Sequence, residues 1–135
     1  LLIEEQESQS ISEIFLDRSE DAFRLLEKEV LRQELLTDDT VLSLGGGAPI
    51  SIDAQAAMRA IASPVVYLDV SLATVAPRIG FNRDRPLLLS NPRGQWQTLM
   101  EARRPIYQSI ADVVIDANDK SENEIVSIIL KELAL

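Results

Sequence analysis

Residues 40–49 read Thr-Val-Leu-Ser-Leu-Gly-Gly-Gly-Ala-Pro, a short β-branched apolar run set directly against three consecutive glycines. The run predicts a buried strand, and the glycines predict a sharp, bare loop at its end. Ser51 then offers a capping hydroxyl to a stretch of good helix formers, residues 52–60. Strand, glycine loop and helix is the unit with which α/β proteins hold small ligands, at the carboxyl ends of their strands. Glycines suit that place because a missing Cβ lets backbone N–H groups approach a polar ligand. A tight strand-to-helix turn with no ligand is the other reading of the same residues.

The rest of the chain continues the alternation. Residues 1–9 predict a short acidic helix, and Ser10 and Glu13 stand at capping-box spacing before a second one. Over residues 20–36 Phe23, Leu26, Val30, Leu31 and Leu35 recur on one helical face. Arg24 and Glu27 lie beside that stripe, spaced so that the carboxylate can orient the guanidinium, or simply as an exposed surface pair. Residues 64–70 (Pro-Val-Val-Tyr-Leu-Asp-Val) predict a strand covered on both faces, and residues 111–116 a third strand. Between them Ser71 caps a helix to about residue 79, a long connection spans 80–94, and a helix runs from 95 to about 110. Pro105 inside that helix predicts a kink or a break. Residues 122–133 form a closing amphipathic helix. Strands separated by helices predict one α/β domain over 1–135: a three-layer parallel sheet with helices on both faces.

Composition narrows the chemistry. There is no histidine and no cysteine, which removes the commonest general base, the commonest zinc ligand and any disulfide. Lysine and arginine number 13 against 22 acidic residues, a net charge of −9 that argues against a nucleic-acid partner. No apolar run approaches the roughly 20 residues that cross a bilayer, so a membrane partner is not expected. An anionic small ligand would need locally gathered arginines, because guanidinium offers a planar fork of donors to carboxylate or phosphate. Arg24, Arg78, Arg85 and Arg103 are the candidates; each alone also reads as an ordinary solvated arginine. The 80–94 connection, with Arg85 beside Pro86, has the length of a lid or binding loop.

Taken together, Ser-Ile-Ser-Glu-Ile-Phe (10–15), Phe-Arg-Leu-Leu-Glu (23–27), Leu-Ser-Leu-Gly-Gly-Gly-Ala (42–48), Val-Val-Tyr-Leu-Asp-Val (65–70), Arg-Pro-Leu-Leu (85–88) and Arg-Arg-Pro-Ile-Tyr (103–107) closely resemble the shikimate kinases. These are small P-loop kinases of the nucleoside-monophosphate-kinase type. The resemblance implies transfer of the ATP γ-phosphoryl group to the 3-hydroxyl of shikimate, with Mg²⁺, on the route to chorismate and the aromatic amino acids. Helices over 1–36 would bind shikimate and 80–94 would be the lid. Arg24 and Arg103 would hold the substrate carboxylate, with Glu27 orienting Arg24 and Phe23 packing on the substrate ring. Gly46 and Gly47 would offer N–H groups, with Gly45 shaping the turn. Arg85 would close over the transferring phosphoryl group, Arg78 would lie on the adenine side, Lys120 would keep the basic character of the adenine loop, and Ser43 would touch a water of the magnesium shell. A cytoplasmic monomer, free-standing or fused to another enzyme of the pathway, is the implied setting.

The chain departs from that pattern in two missing motifs and, to a smaller degree, at residues 118–122, where only Lys120 keeps the basic character of the family's adenine loop. No Gly-x-x-x-x-Gly-Lys-Ser/Thr and no Asp-x-Asp occurs in residues 1–135. The expectation is therefore a truncated kinase lacking the central N-terminal strands and inactive alone. The alternatives are a non-catalytic module that binds shikimate or a partner protein, and a related small-molecule kinase such as a gluconate kinase.

Overall fold

The computed structural model describes residues 1–79 and 92–135. The chain divides into two compact units, Leu1–Ile61 and the described residues from Ala62 onward.

In the first unit four helices form where the apolar periodicity predicts them: α1 (Leu2–Glu7), α2 (Ile11–Asp17), α3 (Glu20–Glu34) and α4 (Ile52–Ala60). The Ser10–Glu13 capping box closes as expected. The Ser10 hydroxyl accepts from the Glu13 N–H at 3.2 Å, and the Glu13 carboxylate accepts from the Ser10 N–H at 2.8 Å. Ser19 caps α3 and Ser51 caps α4 by accepting from Ala22 and Ala54 N–H groups. Helix α3 is the hub, packing against α1, α2 and α4. Its buried residues Phe23 and Leu31 join Ile14, Ala54 and Met58 in the core. A Lys28–Asp53 ion pair ties α3 to the first turn of α4, and with it the end of the glycine loop.

The second unit holds the sheet. Strand β1 (Val66–Asp69) pairs in parallel with β2 (Val113–Asp116), Val66 opposite Val113 and Asp69 opposite Asp116. Between them run α5 (Leu72–Ile79) and α6 (Pro92–Ile110), which pack on each other, and α7 (Glu122–Glu132) follows against β2. Ser121 and Glu124 close a second capping box at the start of α7. Ala76, Ile110, Ile115 and Ala117 are buried. The parallel βαβ arrangement matches the α/β expectation.

Three expectations need correction. Residues 40–44 pair with no other strand among the described residues, so the predicted strand does not form. A strand exists only through its ladder, and here Val41 stands fully in water. Nor is β1 covered on both faces: Leu68 is 44% exposed. Of the kink or break expected at Pro105, the break does not occur: helix α6 continues to Ile110, and it starts at Pro92, a residue whose fixed φ suits a first helical position.

Candidate substrate-binding site

In the first unit the structure brings together Arg24, Glu27, Phe23 and the glycine loop. One face of α3 sets the guanidinium. Arg24 Nη1 donates to Glu27 Oε1 at 2.8 Å, one turn on, while Nη2 lies 3.5 Å from Glu20 Oε1, one turn back. The guanidinium carbon sits 5.3 Å from the centroid of the Phe23 ring. That ring packs on Phe15, centroids 4.9 Å apart, and is only 5% exposed, so most of its surface belongs to the core.

The glycine loop turns twice, with Ala48 N–H donating to Gly45 O at 3.0 Å and Ile50 N–H to Gly47 O at 3.3 Å. None of its glycines has a positive φ, so backbone handedness is not why they are glycines. Close approach is the reason at Gly47. A Cβ there would stand 2.6 Å from Arg24 Cζ and 2.8 Å from Nη2, inside contact distance. A Cβ at Gly45 would meet Glu27 Oε2 at an ordinary 3.7 Å. Arg24 thus lies flat on bare backbone, fixed by Glu27 and still partly open to solvent. A planar fork of donors, the kind of group that suits a carboxylate or phosphate, thus stands beside the loop backbone.

The second unit carries the other described candidates. Arg103 is half-buried on α6 and has no ion-pair partner among the described residues. Arg78 is exposed near the end of α5. Lys120 borders a shallow concavity of about 440 Å³ along α7, with Asn123, Ser127 and Ile128. The loop before α7 is tied down by Asn118. Its side-chain oxygen accepts from the Ser71 N–H at 2.9 Å and the Thr74 hydroxyl at 2.8 Å, joining it to the start of α5. Asp116 accepts from the Asn118 N–H and side-chain amide, which holds its carboxyl below the usual aspartate range. Ser43 is exposed. Arg85 and the expected lid lie outside the described residues, except that residues 92–94 open α6.

Two further contacts lie outside the motifs named above. Glu20, four residues before Arg24, is a second acidic neighbour that helical spacing could have revealed. Asp69 and Arg104 pair at 2.7 Å, but 35 residues separate them and no local pattern announces the contact.

Among the described residues no group of three or more carboxylates gathers to hold a metal, and no helix is long and apolar enough to cross a membrane. What remains is an α/β protein whose first unit sets an arginine, held by Glu27, against a glycine loop. A sequence model of shikimate kinase matches residues 1–134, and the chain belongs to the shikimate kinase family. It is 40% identical over 129 residues to a shikimate kinase of Streptomyces coelicolor, covering 96% of this chain and 74% of that protein. A shikimate kinase of Thermobifida fusca is 39% identical over 131 residues, covering 97% and 75%. Among solved structures, shikimate kinase from Acinetobacter baumannii in complex with shikimate superposes with a TM-score of 0.94 at 28% identity, covering 98% of this chain and 74% of that one. The Aquifex aeolicus enzyme gives a TM-score of 0.79 at 30% identity, covering 99% and 79%.

Proposed function

We propose that the protein acts on shikimate, passing the γ-phosphoryl group of ATP to its 3-hydroxyl to give 3-phosphoshikimate, a step toward chorismate and the aromatic amino acids. The observation that carries this is the Arg24 guanidinium, oriented by Glu27 and seated on Gly47. Arg24 and Arg103 hold the carboxylate, each presenting a fork of donors. Gly46 and Gly47 offer backbone N–H groups, Gly45 shapes the turn beside Glu27, and Phe23 meets the substrate ring along its exposed edge. Arg85 closes over the transferring phosphoryl group and neutralises developing charge. Arg78 and Lys120 flank the adenine.

The chemistry asks little covalent work of the protein; positioning and charge neutralisation do most of it. Among the described residues no donor set fits Mg²⁺. Ser43 offers a single exposed hydroxyl, and a cation that takes six oxygen ligands would arrive on the nucleotide phosphates. No phosphate-cradling Gly-x-x-x-x-Gly-Lys-Ser/Thr motif occurs in the 135 residues, so on the nucleotide side these residues supply only Arg85, Arg78 and Lys120. The proposed setting is a cytoplasmic monomer.

The test is a coupled ATP-to-ADP assay on the full-length protein, with and without shikimate, beside Arg24→Ala. Shikimate-dependent turnover that collapses in the variant supports the assignment and the carboxylate clamp together. Shikimate binding by calorimetry without turnover supports a binding module instead. Neither binding nor turnover removes shikimate as the substrate, and gluconate is then the acid to assay.

A further inference from the structure

Helix α6 carries an internal proline one residue after Arg104. Pro105 has no N–H to give the carbonyl of residue 101, and it disfavours helical backbone at the residue before it. The turn that presents Arg103 therefore lacks a helical hydrogen bond, yet α6 passes through it unbroken.

The end of β1 supplies the missing hold. Arg104 Nη1 donates to Asp69 Oδ2 at 2.7 Å. The other carboxylate oxygen accepts from the Tyr67 hydroxyl at 3.1 Å, and that hydroxyl lies 3.7 Å from Met100 Sδ. The Tyr67 ring packs on Tyr107, centroids 5.2 Å apart. Met100, Arg104 and Tyr107 stand at i, i+4 and i+7, one stripe of α6, and all three meet Tyr67 or Asp69. The contacts straddle the proline, two before it and one after. They fix the rotation of the helix about its own axis at this turn.

Arg103 is the neighbour of that stripe, about 100° round the helix from Arg104. Its exit direction is set by the rotation that Asp69 holds. Both members of the Arg104–Asp69 pair are only partly exposed, 37% and 24%, so the pair is less screened than a surface bridge. Asp69 has both oxygens committed, and the geometry it imposes is more specific than a single contact would be.

We propose that Arg104 and Asp69 are positioning residues for substrate binding: they lock helix α6 to the end of β1 across Pro105 and thereby aim Arg103 at the substrate carboxylate. This rests on the carboxylate role given above to Arg103. Neither residue touches the substrate; the pair acts through Arg103.

The experiment is a cycle of Arg103→Met, Arg104→Met and the double variant in the full-length protein. The readouts are KM for shikimate, KM for ATP, kcat and the melting temperature, with Arg104→Lys as the conservative control. A misplaced binding group costs up to about a hundredfold, so Arg104→Met is expected to raise KM for shikimate about tenfold. KM for ATP should hold, and Arg104→Lys should recover part of the loss. In the Arg103→Met background Arg104→Met should add nothing, because the residue through which it acts is gone. Three outcomes overturn the proposal. A lowered melting temperature with KM unchanged makes the pair merely structural. Losses that multiply in the double variant mean Arg104 acts independently of Arg103. An Arg103→Met enzyme with normal KM removes the carboxylate role of Arg103, and the positioning role falls with it. The first two outcomes leave that carboxylate role standing, so the two failures are told apart.

Discussion

Gly47→Ala separates two things a glycine can do at this loop. The substitution keeps the backbone N–H, so any hydrogen bond from Gly47 to the substrate survives. It adds only a methyl group, and that methyl would stand 2.6 Å from the guanidinium carbon of Arg24 and 2.8 Å from Nη2. Carbon contacts settle near 3.5–4.0 Å, so the guanidinium must retreat by about 1 Å. The backbone has no reason to resist: no glycine here adopts a positive φ, and alanine lowers the entropy of the unfolded chain. Stability should therefore change by less than about 1 kcal/mol. Arg24 is the far end of a flexible side chain and can move, but moving stretches its 2.8 Å bond to Glu27 and turns its fork away from the loop.

A displacement of that size at a binding group costs on the order of ten- to a hundredfold, and it should appear in KM for shikimate with KM for ATP untouched. Gly45→Ala is the matched control. Its methyl would meet Glu27 Oε2 at 3.7 Å, an ordinary contact, so KM should change by less than about threefold. Steady-state kinetics with varied shikimate, beside thermal melts of both variants, separates the two cases. A Gly47→Ala enzyme with normal KM, or two variants equally impaired, would refute the claim that Gly47 is bare to seat Arg24.

Glu27→Gln leaves Arg24 with Glu20, 3.5 Å away on the opposite turn, as its remaining carboxylate, so the guanidinium should swing back along α3. KM for shikimate should rise about tenfold, since hydrogen bonds to charged groups contribute about 1.5–3 kcal/mol; an unchanged KM would show that Glu27 does not orient Arg24. Ser19 caps α3 with φ at 110° and ψ at 165°, a region that suits glycine. Ser19→Gly relieves strain of about 1–3 kcal/mol and loses a few tenths from the cap, together with some unfolded-chain entropy, so a net gain of about 1 kcal/mol is expected. A melting temperature raised by roughly 3–5 °C would confirm it, and a lowered one would refute the strain. Partial burial, then the Asp69 carboxylate beside it, pushes the Tyr67 phenol up to about 12. The folded state then holds that proton more tightly than the unfolded chain, so its stabilisation is complete below pH 10 and is lost as the pH rises toward 12. Tyr67→Phe should flatten the fall in stability across that window in alkaline melts followed by circular dichroism, and an unaltered slope would rule out this coupling.

How much of the molecule is legible in its residues follows from how far apart the partners lie. The helices of the first unit are legible because their signals are local: Ser10 with Glu13, Ser51 with Ala54, and Phe23 with Leu31 all act within a few turns. The Arg24–Glu27 pair is legible for the same reason, three residues apart on one helix. Residues 40–44 mislead because apolar β-branched character reports only a willingness to be a strand. The ladder partner that makes one is a property of the sheet, and none among the described residues supplies it. Pro105 misleads in the opposite direction only where it suggests a break. Its local bias against the helix is real, and it is overruled by contacts from residues 67 and 69, more than 30 positions away in sequence. The function itself becomes legible only through the combination of short motifs, since no single arginine declares its ligand. What that combination does not convey is why the loop is glycine at 47. The reason is neither a turn nor a positive φ but a guanidinium from another helix, resting where a side chain would otherwise stand.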